Sequence, residues 1–318
     1  MLKSISLTNF RGFASLELKD LQRVNLIVGQ NNSGKTSLLE AILWLCQPTD
    51  CGNLPSQFRP QSGNAEQRYF RWLLRDGEAV KSGVIRGTTE DAQLEIELAL
   101  VSAPEPPQPD PKRPRQMIWS GGVKAWTYPK TGRLGCRVLS SEQRRPEQLV
   151  PLVGQTLRKK DGEETMQRLL NQVDPRIRKI RVDPGQDGNQ VVVDLGLSEL
   201  VPLAQAGQGV YRLVTIFGEI ISQPPKVMLV DEIENGLHHS VLETFWSGIA
   251  GLAEALEVQV FATTHSQECL EAAHAAFASR KSYDFSVVQL YRLENGTGGR
   301  VLDRKLIEAG IAGNIDLR

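Results

Sequence analysis

Three runs of apolar residues along the chain have the composition of buried strands. They occupy residues 23–28, 227–232 and 258–265. Between them, apolar positions recur with helical spacing over residues 33–46, 210–221 and 241–256. The alternation of buried strands with amphipathic helices predicts an α/β fold whose parallel sheet is flanked by helices.

Shorter patterns predict further elements around this sheet. Residues 2–20 alternate between apolar and polar positions on both sides of the stretch NFRGF, which predicts two short strands joined by a turn. The proline-rich residues 104–115 exclude a helix or a central strand and predict an exposed connector. We also expect helices over 68–75 and 149–173, a strand over 92–101, and hairpins over 176–195 and 286–306.

The segment GQNNSGKT, residues 29–36, stands between the first buried strand and the first helix. It satisfies the pattern G-x-x-x-x-G-K-[ST], in which loop N–H groups and the positive end of the following helix surround phosphates. Lys35 would add a positive charge, and Thr36 would offer a hydroxyl to Mg²⁺. We therefore predict that a nucleotide is held by Gly29, Gln30, Asn31, Asn32, Ser33, Gly34, Lys35, Thr36 and Ser37.

Two later strands end in residues suited to phosphate chemistry. Asp231 and Glu232 follow VMLV, and His265 follows VQVFATT. Since ligands of open α/β sheets bind at the carboxyl ends of parallel strands, Asp231 suits the Mg²⁺ shell. Glu232 is suited to orienting or deprotonating the attacking water, and His265 to donating a hydrogen bond to the γ-phosphate. The alternative interpretation is structural, with the two acids capping the next helix.

A pair of glycines, Gly207 and Gly209, precedes the amphipathic segment at 210–221. One interpretation is an ordinary glycine loop at the start of a helix. The other is a second anion site, because N–H groups at a helix N-terminus bind phosphate well. On that interpretation Gly207, Gln208 and Gly209 face a second γ-phosphate.

The composition limits the kinds of partner that the protein is expected to bind. The chain has 318 residues, with 37 Lys plus Arg balanced by 37 Asp plus Glu, so contact with nucleic acid requires a local basic patch. The four cysteines form no C-x-x-C pair, and we interpret them as reduced thiols. No secretory leader and no apolar stretch of about 20 residues is present, which predicts a cytoplasmic protein without a membrane partner. Candidate DNA contacts are Arg68, Arg71, Arg75, residues 112–115 and residues 176–181.

In their order along the chain, these motifs resemble ABC-type ATPase heads. LTNFRGF before the P-loop strand, G-x-G-V-x-R-L at 207–213 and DEIENGLH at 231–238 resemble the OLD/RecF/SMC-like branch. An ABC transporter ATPase is disfavoured because the sequence LSGGQ is absent. The resemblance implies one head over residues 1–318, with N-terminal antiparallel strands and an inserted region at 47–175 that contains the connector.

The resemblance also implies a nucleotide sandwich. Two heads would enclose two ATP molecules, each bound with Mg²⁺ between one 29–36 loop and the 207–209 loop of the other copy. Glu232 would be the catalytic carboxylate and His265 the switch histidine, while residues 235–238 would cross the interface. Gln208 departs from the serine commonly found there. Arg11 of NFRGF would be a further nucleotide contact, and Gln57 and Gln61 are candidates for a Q-loop glutamine only by position.

The sequence contains neither the acidic metal cluster of a TOPRIM domain nor a heptad run long enough for a coiled coil. We therefore expect a stand-alone head, a slow regulatory ATPase whose effector is a separate polypeptide. A nuclease or toxin in prokaryotic antiviral defence is the leading interpretation of that effector. The alternative is a RecF-like repair or recombination ATPase that binds DNA directly, and a structural role without hydrolysis also stays open.

Overall fold

A computed structural model describes residues 1–48, 58, 72–75, 82–100, 116–120, 123–128, 134–142, 144–185 and 188–318. In chain order its strands are β1 (Leu2–Phe10), β2 (Phe13–Leu18), β3 (Val24–Val28), β4 (Ser82–Thr89), β5 (Gln93–Leu100), β6 (Gln116–Ser120), β7 (Val123–Tyr128), β8 (Cys136–Leu139), β9 (Lys179–Gly185), β10 (Gly188–Asp194), β11 (Val201–Pro202), β12 (Val227–Val230), β13 (Gln259–Thr263), β14 (Phe285–Leu293) and β15 (Gly296–Leu302). Its helices are α1 (Lys35–Cys46), α2 (Pro146–Arg158), α3 (Gly162–Val173), α4 (Gln208–Ser222), α5 (Leu242–Ala255), α6 (Gln267–Ala278) and α7 (Arg304–Ala312).

The central sheet has the strand order β15-β14-β3-β13-β12-β8. The five strands from β14 to β8 run parallel, and β15 returns antiparallel from the end of β14. All residues of β3, β12 and β13 are buried, because the sheet is covered on both faces. Because β3, β8, β12 and β13 run parallel, their carboxyl ends lie at the same edge of the sheet.

An antiparallel sheet and the helices cover the two faces of the central sheet. One face packs with α1 against the sheet β2-β1-β4-β5-β7-β6. The other face packs against α2 to α6 and the small sheet β11-β10-β9. No described helix combines the length and the apolar content needed to cross a lipid bilayer. The expected α/β head with N-terminal antiparallel strands is confirmed.

The region at 47–175 contributes to both large sheets. Strand β4 pairs with β1, while β8 pairs with β12 in the central sheet. The expected connector at 104–115 and the residues Gln57, Gln61, Arg68 and Arg71 lie outside the described part of the chain.

Two expectations about local structure are wrong. The helix expected over 149–173 is divided into α2 and α3, because Asp161 is left-handed with φ 60°. A Cβ on Gly162 would lie 2.2 Å from the carbonyl oxygen of Thr156, so the chain makes this break where glycine permits a close approach. In the expected helix at 68–75, the described residues 72–75 are not helical; Leu74 forms a β-bridge with Phe10.

Candidate active site

The loop at residues 29–36 connects the carboxyl end of β3 to the N-terminus of α1. Three of its residues have positive φ angles, Gly29 at 151°, Asn32 at 61° and Gly34 at 89°. A Cβ on Gly29 would lie 2.5 Å from the carbonyl oxygen of Leu290, and one on Gly34 would lie 2.8 Å from the ring of Phe13. Both positions therefore require glycine, because of the positive φ angle and because a side chain would meet neighbouring atoms. Gln30, Asn31 and Asn32 are exposed, whereas Ser33 and Ser37 are buried.

Lys35 closes the loop from inside. Its Nζ donates to the carbonyl oxygens of Gly29 at 2.6 Å and Gln30 at 3.0 Å. Burial lowers the pKa of Lys35 to about 8, although the carboxylates of Asp231, Glu232 and Glu234 oppose that shift. The ammonium thus lies in the loop that is predicted to hold phosphate.

Asp231 connects three elements at this edge of the sheet. Its Oδ2 accepts a hydrogen bond from Thr36 Oγ1 at 3.3 Å, and its Oδ1 accepts one from Thr263 Oγ1 at 2.6 Å. Adjacent oxygen ligands of an octahedral Mg²⁺ lie about 2.9 Å apart, so the hydroxyl of Thr36 and the carboxylate of Asp231 are close to a ligand pair for Mg²⁺. The donor set and its spacing fit the predicted metal.

Glu232 and His265 face each other next to this pair. The Nε2 atom of His265 lies 3.8 Å from Oε1 of Glu232, and both side chains are more than a third exposed. The Nδ2 of Asn235 donates to Oε2 of Glu232 at 2.7 Å, and the N–H of Glu232 donates to Thr263 Oγ1 at 2.8 Å. Glu232 has φ 48°, a left-handed conformation that is rare for a residue with a long side chain. The carboxylate is thereby held at the open side of the site.

Arg212 is a residue of this site that sequence reasoning missed. It is 6% exposed and donates from Nη1 to the carbonyl oxygen of Ser140 at 3.0 Å. Its Nη2 donates to the carbonyl oxygens of Asp231 at 2.7 Å and Glu232 at 3.1 Å. Arg212 therefore ties α4 to the ends of β8 and β12. The available signal was the arginine of G-x-G-V-x-R-L, which stands within the amphipathic segment at 210–221, because a buried guanidinium needs several acceptors.

The glycine pair at 207–209 lies at the surface and contacts the segment that follows β12. Gly207 has φ 102°, and Gln208 is exposed. A Cβ on Gly209 would lie 2.7 Å from the carbonyl oxygen of Gly236, and one on Gly236 would lie 3.1 Å from Gln208. The loop and residues 235–238 therefore touch within one chain.

Arg11, predicted as a further nucleotide contact, pairs with a carboxylate of α1. Its Nε and Nη2 donate to the two carboxylate oxygens of Glu40 at 2.9 and 3.2 Å, and its Nη1 donates to the carbonyl oxygen of Trp72 at 3.1 Å. The guanidinium is 7% exposed and the Glu40 carboxylate 1%. Arg11 therefore connects the turn after β1 to α1.

Comparison with known families agrees with this geometry. Residues 1–92 match the model of an AAA ATPase domain, and residues 140–271 match a family described as an AAA domain, putative AbiEii toxin, Type IV TA system. An ATP/GTP phosphatase of Helicobacter pylori is 23% identical over 85% of this chain and 87% of its own length. The DNA replication and repair protein RecF of Listeria welshimeri is 52% identical over 30% of this chain and 23% of its own length.

A solved structure extends the likeness to the whole fold. The Smc head domain with an extended coiled coil, bound to the C-terminal domain of ScpA derived from Pyrococcus furiosus, is 10% identical with a TM-score of 0.59. The match covers 98% of this chain and 99% of that one. The fold is therefore that of an Smc-type head, and both matching family models describe ATPase-type domains. The predicted nucleotide site lies where the two matched family segments meet, since the loop at 29–36 belongs to the first and Asp231 to the second.

Proposed function

We propose that two copies of this ATPase enclose ATP and Mg²⁺ and that Glu232 promotes hydrolysis. The observation that carries the proposal is the position of Asp231, whose carboxylate contacts Thr36 of the P-loop and Thr263 of β13. Glu232 follows directly and is exposed enough to reach a water molecule. A P-loop that only held nucleotide would not require a second carboxylate at this place.

The chemistry follows from these positions. When bound at Thr36 and Asp231, Mg²⁺ would neutralise charge that develops on the phosphate oxygens. Lys35 would exchange its bonds to the loop carbonyls for bonds to the β- and γ-phosphates. Glu232 would orient a water and accept its proton as the water oxygen bonds to the γ-phosphorus and the bond to the ADP oxygen breaks. His265 would donate a hydrogen bond to the γ-phosphate.

The surface position of the 207–209 loop supports a site shared between two copies. The loop is the N-terminal end of α4, where N–H groups and the helix dipole favour an anion. Gln208 is exposed and in contact with Gly236, so the second copy can be reached by both segments at once. In this proposal the 207–209 loop of the other copy completes the binding site for the γ-phosphate that is held by the first copy's P-loop.

We further propose that this ATPase controls a separate effector, a nuclease or toxin, in prokaryotic antiviral defence. The description of the second matching family, which names a putative toxin and a Type IV TA system, supports an association of such heads with two-component loci. The test is to tag the Glu232→Gln protein at its native locus, purify it with ATP and Mg²⁺, and identify the co-purified proteins by mass spectrometry. A stoichiometric nuclease or toxin supports the proposal, and a particle that contains this chain alone counts against it.

Direct DNA binding is the second candidate function. The similarity to RecF and the exposed side chains of Arg176, Arg178, Lys179 and Arg181 on and before β9 favour it. Carboxylates already face two of these cations, because Asp174 pairs with Arg176 and Glu163 with Lys179. The test measures affinity for duplex DNA against salt concentration. A steep loss of affinity with salt supports DNA binding, and an affinity that is absent or insensitive to salt removes it.

A further inference from the structure

The backbone of His265 is held from both sides by side chains outside its own loop. Its N–H donates to Oε1 of Glu234 at 2.9 Å, and its carbonyl oxygen accepts from Nη1 of Arg318 at 3.0 Å. Glu234 belongs to the segment after β12, whereas Arg318 lies more than fifty residues later in the chain. The two contacts fix the peptide groups on either side of the His265 Cα, from which the imidazole projects towards Glu232.

Arg318 is delivered to this place by an anchored segment, residues 314–318, which we name the tail strap. Leu317 is 4% exposed and packs against α7, where a Cβ on Gly310 would lie 2.6 Å from Leu317 Cδ2. The carbonyl oxygen of Leu317 accepts from Nε2 of Gln289 at 2.9 Å. Because Gly310 has no side chain, α7 leaves room for Leu317 of the tail strap.

The guanidinium of Arg318 is also oriented before it meets His265. Its Nε and Nη2 donate to the two carboxylate oxygens of Asp316 at 2.9 and 3.0 Å. This two-point pairing fixes the plane of the guanidinium and leaves Nη1 to reach the carbonyl oxygen of His265. Leu317 fixes the backbone and Asp316 fixes the direction, so the contact with His265 is not that of a loose surface arginine.

We propose that the tail strap positions the switch histidine, with Arg318 as the positioning residue. The inference rests on the proposed role of His265 in hydrolysis. Nε2 of His265 lies 3.8 Å from Glu232, and a displacement of about 1 Å at a reacting centre is enough to slow a reaction substantially. In the peptide group after His265, the N–H of Ser266 donates to Thr264 Oγ1 at 3.0 Å, and Arg318 adds a bond to the carbonyl oxygen from outside the loop.

The test compares Arg318→Ala with the unaltered protein, both carrying an N-terminal tag. We expect kcat for ATP hydrolysis to fall about three- to tenfold, with KM for ATP within about twofold and an unchanged Tm. Arg318→Lys keeps a donor for the carbonyl oxygen and should regain part of the lost turnover. Arg304→Gln is the matched control, since Arg304 is also a half-exposed arginine in an ion pair, with Glu308, and does not contact His265. Unchanged or increased turnover in Arg318→Ala overturns the proposal.

A second variant tests the strap without touching its arginine. Gly310→Ala places a methyl group against Leu317 and should reproduce the loss of kcat by displacing the strap, although alanine normally favours a helix over glycine. Wild-type turnover in Gly310→Ala would show that the packing of the strap against α7 does not affect hydrolysis, and it overturns the proposal independently of Arg318→Ala.

A double-mutant cycle separates this inference from the proposed function. His265→Ala alone should lower kcat, and Arg318→Ala should add no further loss in that background, because Arg318 acts through His265. If His265→Ala has no effect, the proposed role of His265 and the inference fall together. If His265→Ala slows hydrolysis but Arg318→Ala does not, the inference fails while the proposed function stands. An equal loss from Arg318→Ala in both backgrounds also overturns it.

Discussion

The Nε2 atom of His265 and the Oε1 atom of Glu232 lie 3.8 Å apart on the solvent-exposed side of the predicted nucleotide site. The other carboxylate oxygen of Glu232 accepts a hydrogen bond from Asn235 at 2.7 Å. A water molecule placed between the imidazole and the carboxylate would therefore meet one acceptor whose direction is already fixed. This relationship identifies Glu232 as the group to alter first.

Glu232→Gln should separate nucleotide binding from hydrolysis. The amide keeps the size of the side chain but does not accept a proton, so we expect turnover to fall about 10²- to 10⁴-fold while ATP still binds. A dimer should accumulate in ATP and Mg²⁺, measured by light scattering after size exclusion. Lys35→Ala, the comparison variant, should lose ATP binding itself. Turnover of wild-type magnitude in Glu232→Gln would show that another group is the base.

ATP affinity should decrease as the pH rises above 8. The pKa of Lys35 is lowered to about 8 by burial, and bound phosphates stabilise the ammonium. The affinity for ATP is therefore highest below that pKa. Above it, Lys35 must take up a proton when ATP binds, so the affinity decreases by about fivefold between pH 8 and 9. Calorimetry in buffers of different ionisation enthalpy measures that proton directly. An affinity that is constant from pH 7 to 9.5 would contradict the role of Lys35.

Thr263→Val should weaken both folding and hydrolysis. The hydroxyl of this buried threonine donates to Asp231 and accepts from the N–H of Glu232. Valine has the same shape but removes the partner of Asp231 Oδ1 and of the Glu232 N–H, so we expect the free energy of unfolding to decrease by about 1–3 kcal/mol and kcat to fall with it. The control is Thr215→Val, because the buried Thr215 hydroxyl donates within its own helix to the carbonyl oxygen of Tyr211, and among the described residues it has no other hydrogen-bond partner. Equal turnover in both variants would remove Thr263 from the site.

Gly209→Ala should disturb assembly more than nucleotide binding. The added methyl group would lie 2.7 Å from the carbonyl oxygen of Gly236, a backbone atom, so the 207–209 loop or residues 235–238 must move. We expect ATP to bind with unchanged affinity while the ATP-dependent dimer is lost. Gly251→Ala on α5 is the control and should raise stability by about 0.5–1 kcal/mol. In the described part of the chain, its Cβ would meet no atom within 4 Å beyond its neighbours and its own helix backbone. A normal dimer in Gly209→Ala would place the interface elsewhere.

The sequence was sufficient for the parts of the site that depend on local pattern. The run VNLIV followed by GQNNSGKT requires a strand, a glycine loop and a helix, and the structure has them as β3, residues 29–34 and α1. VMLVDE places its acids after a buried strand for the same reason. Parallel strands bring such ends to one edge, so the proximity of Asp231 to Thr36 follows from the fold class.

Contacts between distant segments could not be predicted in the same way. The bond between Arg11 and Glu40 and those from Arg212 to three carbonyl oxygens depend on how sheets and helices pack, which no periodicity encodes. The division of α2 from α3 depended on a left-handed Asp161, a conformation that aspartate adopts only occasionally. A helical spacing of apolar residues continues through such a break because both helices cover the same core.

The left-handed backbone conformation of Glu232 destabilises the fold at the position of the proposed catalytic carboxylate. Holding a non-glycine residue there costs about 1–3 kcal/mol, so a glycine substitution would relieve strain and remove the proposed base together. A laboratory selection that rewards only protein abundance would consequently drift towards the inactive sequence at this codon. Thermostabilising libraries of this ATPase therefore need turnover as a second criterion, or position 232 kept fixed.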